Sequence, residues 1–171
     1  MKRLICLLLS LSLLLCLAAC ASKVDSPKEP VQFYYPRHTD QLQYGDPNGV
    51  ITYELREAAG YTDRYSYLLN LYLRGPVSQE LRDPFPSGIS VVSLETGVGS
   101  AELVLTNAFA KLSGMELTVA CACLTLTLHN LTGIESLTVT TQNQQLGSEG
   151  KIVMNLSDIL FMDNSTEAVR G

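Results

Sequence analysis

A chain of 171 residues has room for one domain with an appendage. Twelve basic residues against seventeen acidic ones, net −5, exclude a nucleic-acid binder working through a broad basic face. Only two histidines, His38 and His129, are present, which leaves little room for a histidine-built metal site, and no cofactor is expected.

The apolar content of 46% is unevenly spread. Lys2 and Arg3 lead into LICLLLSLSLLLCLAA at positions 4–19, a run without charge and the layout of a secretory signal peptide. As a helix those residues would span about 24 Å, short of the roughly 30 Å hydrocarbon core, so an uncleaved membrane helix is the weaker alternative. The run closes on Leu17-Ala18-Ala19-Cys20, which resembles the lipobox of bacterial lipoproteins. The resemblance implies cleavage before Cys20, thioether lipidation of its sulfur and acylation of the new amino group by a chain such as palmitate. Several acyl chains anchor stably where one holds only marginally. Loss of residues 1–19 leaves ten basic against seventeen acidic residues, a net charge of −7 that disfavours lying flat on an anionic lipid surface. The implied location is the extracytoplasmic face of the cell membrane. Residues 20–30 then form a lipidated cysteine and a small, polar, proline-containing tether.

From Val31 the pattern becomes regular. Val31–Tyr35 is aromatic and β-branched, a short strand ended by Pro36. Gly45-Asp46-Pro47-Asn48-Gly49 is dense turn chemistry. Val50–Arg56 reads as a second strand with Ile51, Tyr53 and Leu55 on one face. Thr62-Asp63 can cap a helix running to about Leu73, with Tyr65, Leu68, Leu69 and Tyr72 as its apolar stripe. Gly75-Pro76 stops it, glycine taking the left-handed conformation and proline unable to continue. Val77–Gly88 is a loop. Ile89–Leu94 and Ala101–Thr106 are strands joined by a glycine-containing turn.

Residues 113–130, SGMELTVACACLTLTLHN, carry conflicting signals. Thr, Val and Cys lean towards strand, yet the run is long, opens on the capping box Ser113-x-x-Glu116, and keeps Leu117, Ala120, Cys121, Leu124 and Leu128 at helical spacing. A largely buried helix ending near Asn130 and Gly133 is the better reading. Ile134–Thr141 and Ile152–Leu156 are closing strands around a polar turn. The order ββαββαββ is an α+β two-layer sandwich, two helices packed on a mainly antiparallel sheet, after the N-terminal signal peptide. The domain spans residues 31–163 and a frayed tail 164–171.

Cys6 and Cys16 leave with the signal and Cys20 takes lipid, so Cys121 and Cys123 remain. On a helix they would point about 200° apart and on a strand their Cα atoms would lie about 6.6 Å apart, and neither suits a disulfide between them. No further soft ligand is near, and buried thiols are expected.

The stretches Phe33-Tyr34-Tyr35, Leu68–Pro76, Pro86–Leu94, Ala101–Phe109, and Thr125-Leu126-Thr127 before Gly133–Leu137 resemble, in order and spacing, the GerMN domain of sporulation and germination proteins. They cover about residues 31–158. The chain departs from the family at Asn143–Gly147, where an Asp-Gly is usual, and it has room for one such domain where tandem members carry two. The resemblance implies a fold akin to ring-building motifs and a non-enzymatic role in assembly outside the membrane, with extracytoplasmic protein partners or self-assembly.

No nucleophile elbow, H-E-x-x-H or phosphate loop is present. Gly97-Val98-Gly99 joins two strands and is a turn, not a dinucleotide fingerprint. His38 lies in a polar loop beside Arg37 and Asp40, and His129 at a helix C-terminus, where imidazolium favours the dipole. Glu54 and Glu57 point to opposite faces of a strand and are expected to be surface charge rather than a hydrolytic pair. All eight tyrosines precede residue 73, and Tyr34, Tyr35, Tyr44, Tyr61 and Tyr67 are the candidate interface. The sequence therefore favours a lipid-anchored interaction domain. A lipoprotein binding a cell-wall glycan or peptide is the alternative, and an envelope hydrolase a distant third.

Overall fold

The computed structural model describes residues 30–38, 49–57 and 65–159. Strands β1 (Pro30–Pro36) and β2 (Ile51–Glu57) come first, then helix α1 (Tyr65–Tyr72), β3 (Val91–Thr96) and β4 (Ser100–Leu105). Helix α2 (Gly114–Thr132), β5 (Ser136–Thr141) and β6 (Ile152–Asn155) complete the ββαββαββ order predicted from sequence. Short 3-10 turns occupy Asn107–Lys111 and Leu156–Asp158. The signal run, Cys20, the tether, the turn at 45–48, the Thr62-Asp63 cap and the tail 164–171 lie outside the described residues.

The strands make two sheets rather than one. β1 and β2 form an antiparallel pair, and the other four lie in the order β3-β4-β5-β6. β4 and β5 run parallel, which requires a long crossover connection, and α2 supplies it. β3 and β4 start and end one or two residues from the predicted bounds. The Ser90 carbonyl still accepts the Thr106 amide at 3.1 Å, but the Ser90 amide donates to Thr106 Oγ1 at 3.1 Å, and a bulge follows at Val91/Ser93.

The main core gathers Phe33, Tyr35, Leu68, Leu69, Tyr72, Leu103, Leu105, Phe109, Leu124, Leu128 and Leu137. A smaller cluster forms around Ile51, Val119, Ala122, Cys123, Leu126 and Ile159, with Tyr34 packed against it. Helix α2 separates the two, and every residue from Val119 to Leu128 is buried. That burial on all sides explains why its sequence lacks a clean polar face. Its threonines remain compatible with a helix because Thr118, Thr125 and Thr132 donate their hydroxyls to carbonyls four residues back, at 3.2, 2.9 and 2.7 Å. Gly133 ends the helix at φ 75°, its amide donating to the His129 carbonyl at 2.8 Å. The predicted capping box does not form. Ser113 makes no side-chain capping bond, because Gly114 enters at φ 54°, outside the geometry that brings a capping hydroxyl to the third amide. Among the described residues no helix is long and apolar enough to cross a membrane.

Candidate interaction surface

The β1–β2 register decides which aromatic side chains reach the surface. Val31, Phe33 and Tyr35 share one face with Arg56, Glu54 and Thr52, while Gln32 and Tyr34 share the other with Leu55 and Tyr53. The first face turns to the core. The second carries Tyr34, half-buried, beside Tyr53 at 46% and Leu55 at 59% exposure. The Tyr34 and Tyr53 rings lie 5.4 Å apart, tilted by 54°. Burial, with Tyr53 adding, pushes the Tyr34 phenol above the usual range. Its hydroxyl donates to Gln32 Oε1 at 2.8 Å, which also accepts from Asn130 Nδ2 at 3.3 Å.

Helix α2 covers the outer edge of β1. The Gln32 amide donates to Asn130 Oδ1 at 3.2 Å and the Tyr34 amide to Thr127 Oγ1 at 3.0 Å. The backbone donors of an edge strand are thus satisfied by helix side chains. Among the described residues no further strand joins the outer side of β2.

Of the five predicted interface tyrosines, Tyr34 lies on this face and Tyr67 is 48% exposed on α1. Tyr44 and Tyr61 lie outside the described residues, as do Leu17, Ala18, Ala19 and Cys20. Tyr35 is a correction. It is fully buried and donates its hydroxyl to the Tyr72 carbonyl at 2.7 Å, because strand alternation sets it with Phe33 on the inner face. Burial drives its pKa far up, despite the lowering influence of Arg56. Tyr72 is likewise buried, its hydroxyl donating to the Tyr34 carbonyl at 2.6 Å, and desolvation raises its pKa strongly. Tyr53 and Leu55 were missed as surface residues. The pairing register decides it: Glu54 and Arg56 fall opposite Phe33 and Val31, so Tyr53 and Leu55 face outward.

Glu54 is not surface charge. It forms an ion pair with Arg56, their side chains being 12% and 15% exposed. Arg56 Nε donates to Glu54 Oε1 at 2.7 Å and its Nη2 to the Gly75 carbonyl at 2.7 Å, with the guanidinium carbon 5.5 Å from the Phe33 ring centroid. Glu54 Oε2 accepts the Val77 and Ser78 amides, each at 3.0 Å. The carboxylate is consumed by donors and clamps the turn after α1. Glu57 is exposed on the opposite face, so the two glutamates form no pair.

Cys121 and Cys123 are buried and free, and desolvation raises both thiols, Cys121 to about 12 and Cys123 further. His129 Nδ1 meets the Ile134 carbonyl at 2.7 Å, which makes that nitrogen the donor and ties the helix end to the approach to β5. His38 is half-buried just after β1, and Asp40 lies outside the described residues. Gly97-Val98-Gly99 is the β3–β4 turn, closed by the Gly97 amide on the Ser100 carbonyl at 2.8 Å. Among the described residues no three His, Cys, Asp or Glu side chains are placed to hold a metal ion.

No family model matches the chain, and no curated protein matches it in sequence. In structure it is similar to the first GerMN domain of the sporulation protein GerM from Bacillus subtilis. The TM-score is 0.54 at 16% identity, over 74% of this chain and 95% of that one. It is also similar to the tandem GerMN domains of the same protein, with TM-score 0.54 and 17% identity over 79% of this chain. There it spans 48% of the tandem, about half its length. Likeness at these identities establishes the fold: two helices on mixed and antiparallel sheets in the GerMN arrangement, as the sequence resemblance implied.

Proposed function

We propose that this chain is a lipid-anchored extracytoplasmic protein whose GerMN-like domain serves, without catalysis, as an interaction module in an envelope, sporulation or germination assembly. The observation that carries the reading is the lipobox-like Leu17-Ala18-Ala19-Cys20 standing directly ahead of a domain with this fold. Cys20 precedes the start of β1 by ten residues, so the domain would sit within about 36 Å of the lipid. A non-catalytic role is supported by what the reactive groups do: Glu54 holds a turn, and Cys121 and Cys123 are packed in the core. The Tyr34–Tyr53–Leu55 face suits a protein partner, or a second copy, because aromatic side chains with a polar tip are enriched at such contacts.

The test combines anchoring with contact. Cells making the chain or C20A are labelled with a palmitate analogue and fractionated, and a photo-crosslinking residue is placed at Tyr53, with Val98 as control. Label and membrane association that vanish in C20A, with a protein adduct from position 53 and none from 98, are expected. Unlabelled wild-type protein in the soluble fraction overturns the anchor, and equal adducts from both positions overturn the interface.

A further inference from the structure

We propose that the open edge of β2 pairs with β2 of a second copy of this chain, antiparallel and two-fold about Tyr53. This pairing rests on the reading of the Tyr34–Tyr53–Leu55 face as an interaction surface, and it names the partner.

Hydrogen-bond parity locates the edge. The Gln32 and Tyr34 amides donate to Asn130 and Thr127 of α2, so β1 meets β2 through Val31, Phe33 and Tyr35. The Arg37 amide continues that series on the Val50 carbonyl at 2.9 Å. Ile51, Tyr53 and Leu55 therefore aim their amides and carbonyls away from β1, and no other described group meets them. The opposite edge of the hairpin is closed. There α2 takes the β1 donors, the Tyr72 hydroxyl donates to the Tyr34 carbonyl, and the Arg82 amide donates to the Pro36 carbonyl at 2.8 Å. A two-stranded hairpin shielded on one side accepts a further strand only on the other.

Nothing on the edge blunts it. β2 pairs with β1 without a bulge, and its outward row from Ile51 to Leu55 holds no charge and no proline. Exposure rises along that row, from 7% at Ile51 to 46% at Tyr53 and 59% at Leu55.

The strand complements itself. Pairing about Tyr53 sets Tyr53 against its own copy and Ile51 against Leu55 in both directions, apolar on apolar. It sets Thr52 against Glu54, and no like charges meet. Pairing about Glu54 would place two carboxylates directly opposite, which is destabilising, and pairing about Leu55 would set Tyr53 against Glu57. The contact is isologous, so it closes at two copies and joins two hairpins into one sheet.

The test is disulfide formation in intact cells producing the full chain as Y53C, L55C or V98C. After brief oxidation with a copper–phenanthroline complex, products are read on non-reducing gels and by intact mass. A hydrogen-bonded antiparallel pair holds its Cα atoms about 5.5 Å apart, within disulfide reach, and Tyr53 forms such a pair with its copy. Leu55 lies four residues out of step with its copy, about 13 Å along the strand. A Y53C homodimer about tenfold above L55C and V98C is expected, although both controls are more exposed than Tyr53. Equal homodimer from L55C overturns the register. A Y53C adduct with a different protein and no homodimer overturns the second copy and keeps the interaction surface, whereas no adduct of either kind removes both.

Charge exchange supplies the second measurement. Differently tagged copies are co-purified from cells making Y53K, Y53E or one of each, with circular dichroism of the purified variants confirming the fold. Either variant alone should retain about a tenth of wild-type self-association or less, because like charges then stand opposite at the two-fold axis. The Y53K and Y53E combination should return to within about threefold of wild type. Failure of the mixed pair to exceed the single variants overturns the pairing.

Discussion

Replacing Glu54 by glutamine keeps the shape of the side chain and removes the charge that joins β2 to the turn after α1. The carboxylate is 12% exposed, pairs with Arg56, and accepts the Val77 and Ser78 amides at 3.0 Å. Hydrogen bonds to a charged acceptor contribute about 1.5–3 kcal/mol each, and breaking a fully buried pair costs about 3–5 kcal/mol. Here glutamine retains one acceptor oxygen, the pair is partly wet, and Arg56 keeps its bond to the Gly75 carbonyl. The expected loss is therefore about 2 kcal/mol, or about 6–10 °C in Tm for a domain of this size. R56M should cost a similar amount, because it leaves the carboxylate unpaired and the Gly75 carbonyl without its donor. Urea unfolding followed by far-UV circular dichroism, on both single variants and the double, gives the coupling. The double variant should lose less than the two singles together by about 1 kcal/mol, since either change alone already abolishes the pair. Strict additivity within about 0.3 kcal/mol would refute the coupling between Glu54 and Arg56.

Gly75 takes φ +89°, and a Cβ there would meet Asp83 Oδ2 at 2.8 Å, whereas Gly88 at φ +81° has nothing within 4 Å. G75A should thus lose about 1–2 kcal/mol for the left-handed backbone plus a further penalty for displacing Asp83, and G88A the backbone part alone; equal losses in urea titrations would contradict the close approach. Burial raises Tyr35 and Tyr72 from 10.0, and Cys121 and Cys123 from 9.0. The unfolded chain releases these protons first, so stability is full below about pH 9 and falls as pH rises through 9 to 12, by up to about 1.4 kcal/mol per pH unit for each group. Stability measured at pH 8 to 11.5 should show this slope, shallower by one group in Tyr72→Phe, and a flat profile would count against burial of these groups. A disulfide reagent at pH 8 should leave Cys121 and Cys123 unmodified in the native protein and modify both in guanidinium, with mass spectrometry locating the adducts. Rapid native labelling of either would show that α2 is not enclosed as described.

Local signals determined much of this protein. Aromatic and β-branched runs marked the strands, Gly75-Pro76 and Gly133 marked helix ends, and the spacing of Leu117, Ala120, Cys121, Leu124 and Leu128 favoured helix over strand for α2. The order of these elements, with the GerMN-like stretches on them, already carried the α+β architecture. Tertiary structure decided which side of each element faces inward. In the hairpin both faces mix polar and apolar residues, Phe33 lying across from Glu54 and Tyr34 across from Tyr53, so alternation alone cannot tell core from surface. Packing against α1 and α2 buried Tyr35, left Tyr53 and Leu55 in solvent, and drew Glu54 and Arg56 into a clamp. The split into two sheets and the parallel β4–β5 pair have the same origin. Each depends on contacts between segments far apart in the chain, whereas sequence periodicity records only how a segment repeats along itself.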